Sequence, residues 1–179
     1  MGRWDEAVKQ ANAALAQDPL SQAAYGNLCL AQLRRGRLEE AEAAARRTLE
    51  INPTGPFGHS FLGSVLLTRS QPEAALVEFS KETVEAARLS GSAMAYFALG
   101  SKADSDAALA QMIRGQANRP YFIARVYGFR DEPDEALKWL ERAYTQKDGG
   151  PLSIIKGDPA FKKIEGDPRY KAFLKKMNL

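Results

Sequence analysis

An all-α fold built from antiparallel helix pairs follows from three observations on the sequence. Alanine is abundant and β-branched residues are sparse, a balance that favours helix over strand. One motif returns along the chain, as Gly2-Arg3-Trp4-Asp5-Glu6-Ala7, Gly36-Arg37-Leu38-Glu39-Glu40-Ala41 and Ser70-Gln71-Pro72-Glu73-Ala74-Ala75. Ala7, Ala41 and Ala75 stand 34 residues apart, and so do Pro19 and Pro53. A fixed period carried by two separate landmarks is the signature of a repeat architecture.

The elements follow in chain order. Residues 2–20 read as half a repeat, a single helix with the apolar face Trp4, Ala7, Val8, Ala11, Ala14 and Leu15. Full repeats are expected over about 22–55, 56–87, 88–116 and 117–150, the third of these degenerate and nearer 30 residues long. Gly36 and Gly100 suit the tight turn between two helices. Pro72 and Pro133 suit a first helical turn, where a missing N–H costs nothing. The acid-rich run Asp131-Glu132-Pro133-Asp134-Glu135 then reads as a helix start, since carboxylates there gain roughly 0.3–1 kcal/mol from the helix dipole. From Pro133, the residues Ala136, Leu137, Leu140, Ala143 and Tyr144 form one apolar face. Residues 1–150 are thus expected to form the array. In 151–179, Asp158-Pro159 and Asp167-Pro168 each read as an N-cap and first helical residue of a short capping helix.

The repeat resembles the tetratricopeptide repeat (TPR) family. Tyr25, Leu28-Cys29, Gly36, Ala41, Leu49 and Pro53 carry the resemblance in one copy; His59, Leu62-Gly63, Leu66, Ala75 and Phe79 in the next. Ile123-Ala124, Tyr127, Ala136, Leu140 and Ala143 carry it in the last, with Ala93, Tyr96, Gly100, Ser105, Leu109 and Met112 as the degenerate copy. The resemblance implies a right-handed superhelical solenoid of A and B helices. The ending, K-x-D-P-x-F followed by D-P-R-Y, also resembles the close of TPR regions in bacterial multidomain regulators, such as cyclases, kinases and transcription factors. An uncovered first helix implies either a carboxy-terminal piece of a longer array or a face covered by a second copy.

Chemistry finds little foothold. With 45% hydrophobic and 26% charged residues the chain is an ordinary folded protein, and no apolar run is long enough for a bilayer. A cytoplasmic protein without membrane contact is the expectation, since one cysteine builds no disulfide framework and no secretory signal is visible. The net charge of +3 is concentrated in 151–179, where seven Lys/Arg face three acids. Nucleic-acid binding would have to rest on that tail alone, and a solvated face on capping helices is the simpler reading. His59 and Cys29 fall at packing positions, no phosphate-cradling glycine loop exists, and no metal, cofactor or catalytic residue is expected.

The resemblance implies that A helices line a concave groove for a peptide or helix of a protein partner. The positions that would face it are Leu30, Leu33, Arg34, Phe57, Ser60, Ser64 and Leu67. Further along they are Met94, Phe97, Tyr121, Arg125 and Phe129, which suit apolar anchors with an acidic group near Arg125. The family's clamp for a terminal carboxylate is not matched, because Leu30, Phe57 and Phe61 stand where its partners to Asn27 are expected. Two alternatives accompany this reading. Trp4, Val8, Ala11 and Leu15 would mediate self-association into a homodimer, or the chain would serve a catalytic domain placed upstream.

Overall fold

The computed structural model describes residues 2–147, 152 and 154–179, so the expected boundary at 150/151 lies outside them. Every regular element among the described residues is a helix. They are α1 (Gly2–Gln17), α2 (Gln22–Arg34), α3 (Leu38–Ile51), α4 (Gly58–Thr68), α5 (Pro72–Lys81) and α6 (Glu85–Ala98). There follow α7 (Lys102–Gly115), α8 (Pro120–Phe129), α9 (Pro133–Thr145), a 3-10 helix (Pro159–Ile164) and α10 (Pro168–Lys176). The chain forms two compact units, Met1–Gly91 and Ser92–Leu179, which divide within α6. In the first, α1 packs on α2, α2 on α3 and α4, and α4 on α3 and α5. In the second, α8 packs on α7, α9 and the 3-10 helix.

The same reversal joins A to B in every pair. The residue after each A helix's cap lies in the left-handed region: Gly36 (φ 73°), Ser70 (59°), Gly100 (78°) and Asp131 (64°). At each, one backbone N–H reaches back over the turn, as Gly36 to Leu33 O at 3.1 Å and Asp131 to Gly128 O at 3.2 Å. The next N–H reaches one residue deeper, as Arg37 to Gln32 O and Glu132 to Tyr127 O, both at 2.9 Å. This paired pattern satisfies the orphan carbonyls of the helix end and needs a residue that tolerates positive φ. Glycine does so freely; aspartate does so at moderate cost. Asp131, the first acid of the clustered run, is therefore a turn residue. Pro133 opens α9, with Asp134 and Glu135 in its first turn.

Two acids of α9 also reach the last helix. Asp134 pairs with Arg169 at 2.6 Å and Glu141 with Lys176 at 2.7 Å, while the Tyr144 ring stands edge-on to Phe173. The Asp-Pro signals hold as N-caps: Asp158 accepts from Ala160 N–H at 3.0 Å and Asp167 from Arg169 N–H at 2.8 Å. The first of the two elements is a 3-10 helix, where the sequence leads one to expect an ordinary capping helix.

Packing explains the small residues. Ala41, Ala75, Ala136 and Ala143 are fully buried, leaving room for neighbouring helices. Phe79 of α5 fits against two glycines: a Cβ at Gly63 would stand 2.7 Å, and one at Gly91 2.2 Å, from its ring. Gly128 likewise makes room for Phe161, whose ring would lie 2.5 Å from an added Cβ. A methyl group at such a site cannot be absorbed without moving a buried ring.

Opposite signs are expected at two positions of the first unit. Ser70→Gly should stabilise the protein by about 0.5–1 kcal/mol by relieving the left-handed turn. Gly91→Ala should destabilise it by about 1–3 kcal/mol through the clash with Phe79. Urea unfolding followed by circular dichroism reads both.

Candidate functional site

The A helices carry the candidate residues, and burial sorts them. In the first unit Leu30, Ser64 and Leu67 are half-buried, with part of each side chain open to solvent. Leu33 is buried, and so is Ser60. Arg34 turns inward in function: its Nη1 donates to Leu30 O at 3.1 Å, and its guanidinium stands 5.1 Å from the centre of the Trp4 ring. Phe57 precedes α4 in the left-handed region (φ 67°) and sets its ring 6.3 Å from that of Phe61.

The cap of α4 comes from far along the chain. Phe57 makes no side-chain cap, and no Ser, Thr, Asp or Asn stands immediately before Gly58 to supply one. Glu82, buried at the end of α5, takes the part. Its Oε1 accepts from Phe57 N–H at 3.1 Å and from Val84 N–H at 2.9 Å; its Oε2 accepts from Ser60 N–H at 2.9 Å. A carboxylate in that place satisfies helix N-terminal donors and complements the dipole. Nothing in the local sequence marks Glu82, because the contact is made across 25 residues; the missing cap before Gly58 is the one available hint.

His59 and Cys29 sit as packing residues. His59 Nδ1 is 2.8 Å from Glu78 Oε2, tying α4 to α5. Burial opposes ionisation of Glu78, yet hydrogen bonds from Lys81 and His59 outweigh it and hold the carboxyl below the ordinary glutamate range. Burial pushes the Cys29 thiol up to about 12, the reverse of a nucleophile's tuning. Among the described residues, no three His, Cys, Asp or Glu side chains gather as a metal site, and no helix is long and apolar enough to cross a membrane.

The first helix offers less apolar surface than its sequence implies for self-association. Ala11 is buried, the Trp4 ring lies against Arg34, and Val8 and Leu15 are half-buried. Leu20, not singled out from the sequence, is the more open side chain at 64% exposure.

In the second unit the last A helix, α8, is occupied by the chain itself. Asp158 Oδ2 accepts from the Tyr121 hydroxyl at 2.7 Å and lies 3.1 Å from Arg125 Nε. Asp158 and Tyr121 are buried, and Phe161 packs beside them with ring centres 6.0 Å from Tyr121 and 5.7 Å from Tyr170. Tyr121 therefore has no face to offer a partner, and the acid expected near Arg125 is supplied internally. Met94 is also buried. Arg130, buried at the end of α8, bonds Asp106 at 2.7 Å and the Ser105 hydroxyl, and its guanidinium stands 5.7 Å from the Phe97 ring centre.

Phe97 and Phe129 are the apolar candidates left half-open here. Their rings meet edge to face, with centres 6.3 Å apart. Lys163, from the 3-10 helix, places its Nζ 5.5 Å from the Phe97 centre and 5.4 Å from the Phe129 centre. Lys163 could not be found from the repeat pattern, since it lies outside the period.

Against known proteins, residues 1–56 match the model of the tetratricopeptide repeat family. Over those residues the chain carries the tetratricopeptide repeat pattern. The TPR protein TTC0263 of Thermus thermophilus is similar in fold, with a TM-score of 0.64 at 22% identity over 89% of this chain and 91% of that one. MamA gives 0.55 at 19% identity, over 82% of this chain and 90% of its own. A TPR protein from Parabacteroides merdae gives 0.54 at 17% identity, covering 99% of this chain and 73% of that one. No curated protein sequence matches the chain at significance. These likenesses establish the fold, an all-α repeat of TPR helix pairs.

Breaking the Asp158 contact tests its role. Asp158→Ala leaves Arg125 and the Tyr121 hydroxyl without their buried acceptor and should cost about 3 kcal/mol. Asp158→Asn, which keeps an acceptor but not the charge, should cost less. Hydrogen exchange should then show lost protection in residues 154–179 and unchanged protection in 4–81.

Proposed function

We propose that this chain is a non-enzymatic module that holds a peptide or helix of a protein partner against half-open apolar positions on its A helices. A TPR fold is a scaffold suited to protein–protein contact, with rigid helix pairs presenting side chains at fixed intervals. The observation that carries the reading is the chemistry left exposed on those helices. Leu30 and Leu67 in the first unit and Phe97 and Phe129 in the second keep part of their surface open, while the neighbouring polar groups are engaged internally. Apolar and aromatic side chains on rigid elements are what anchors of a bound segment require.

Burial narrows the groove expected from the family pattern. Leu33, Met94 and Tyr121 contribute to packing, Arg34 and Arg125 serve contacts within the chain, and Phe57 belongs to the start of α4. Leu30, Ser64, Leu67, Phe97 and Phe129 remain as the positions through which binding would act.

Selection of a displayed random-peptide library on the full chain tests this. Enriched peptides should lose about ten-fold in affinity on Leu67→Glu or Phe129→Glu with helicity unchanged. A chain that enriches no peptide, or whose peptides ignore both substitutions, would overturn the reading.

A further inference from the structure

Resting on that reading, we infer that the Phe97–Phe129 pair takes a segment in which an apolar side chain is followed closely by a carboxylate, and that Lys163 selects the acid. The two rings form an edge-to-face pair left half-open at the surface of the second unit. An exposed lysine stands over both, within cation–π range of each centre. Such a contact between exposed groups is weak, so the ammonium is held near the rings yet easily drawn away.

Charge complementarity names the occupant. The other cation at these rings, Arg130, is buried and already met by Asp106 at 2.7 Å and Glu132 at 3.9 Å. Lys163 has no carboxylate at ion-pair distance among the described residues, whereas its neighbour Lys162 is paired with Glu165 at 2.9 Å. The three acids of the tail are likewise spent: Asp158 on Arg125, Glu165 on Lys162 and Asp167 on Arg169. A carboxylate beside the rings would therefore meet a cation that no carboxylate pairs among the described residues. An apolar side chain on the same segment would cover ring surface that Lys163 now shields only in part. The chain's own tail gives the precedent for such pairing on the adjoining stretch of α8, where Asp158 and Phe161 sit together against Arg125 and Tyr121.

The experiment is peptide display on the full chain and on Lys163→Glu, whose exposed side chain leaves the core untouched. The wild-type chain should enrich peptides bearing an aromatic or aliphatic residue within one or two positions of Asp or Glu. Synthetic copies should bind Lys163→Glu about ten-fold more weakly, and copies with Lys in place of the acid should recover on that variant. Peptides weakened by Phe129→Glu or Leu67→Glu but bound equally by Lys163→Glu would sink this inference while leaving the proposed function standing. Enrichment of purely acidic peptides, or equal binding of an oligonucleotide abolished by moderate salt, would mean diffuse attraction to the basic tail and would also overturn it.

Discussion

Each A helix must reverse into its B helix within two or three residues, and the left-handed residue at that reversal is the constraint on which the remaining structure hangs. The reversal brings the two helices into contact along their length, so the B helix must present a small residue where they meet. That is why a fully buried alanine follows three of the four turns by five residues: Ala41 after Gly36, Ala75 after Ser70 and Ala136 after Asp131. In the pair joined by Gly100 the same place holds Ser105, and the consequences of that one exchange spread. Its hydroxyl cannot be left unpaired in the interior, and it donates to Ala93 O at 2.5 Å. It also accepts from Arg130, which brings a buried guanidinium and its partner Asp106 into the packing of α7 on α8.

Rings set against glycines extend the same logic between pairs. Phe79 fills space that Gly63 and Gly91 leave open, and Phe161 does so beside Gly128. The second contact matters because the element it seats is not part of a repeat. A terminal helix pair exposes a face that a further repeat would cover. Here the 3-10 helix takes that place on α8, held by one aromatic ring and one buried carboxylate.

Much of this is legible in the sequence. Period, helix pairing, the proline helix starts and the Asp-Pro caps depend on residues near one another in sequence, where spacing maps directly onto a helix face. Glycine at 36 and 100 announced two of the reversals. Ser70 and Asp131 adopt the same backbone without the usual residue, and only the 34-residue step from Gly36 points to Ser70. The candidate site was less legible, for a physical reason. A repeat pattern says which way a position faces within its own pair, but not whether something distant lands on it. Tyr121 and Arg125 do face outward from α8; the segment 154–161, more than thirty residues later, then covers them. Glu82 is the same kind of omission, a cap provided by a residue remote from the helix it caps.

The occupied face of α8 bears on how selective such a surface can be. Arg125 and Tyr121 sit where their chemistry would suit an acidic partner, yet their hydrogen-bonding capacity is directed to Asp158 inside the fold. A ligand competing for them would have to replace a buried, charge-assisted contact and unseat Phe161 from beside Gly128. Opening that contact costs more than an exposed anchor returns, so the internal occupant holds. What the tail covers is closed to any partner, and what it leaves open is the edge of the same helix, at Phe129 with Phe97 beside it. The element that completes the fold at α8 thereby also sets the boundary of the surface available there, and contributes its own lysine to that boundary.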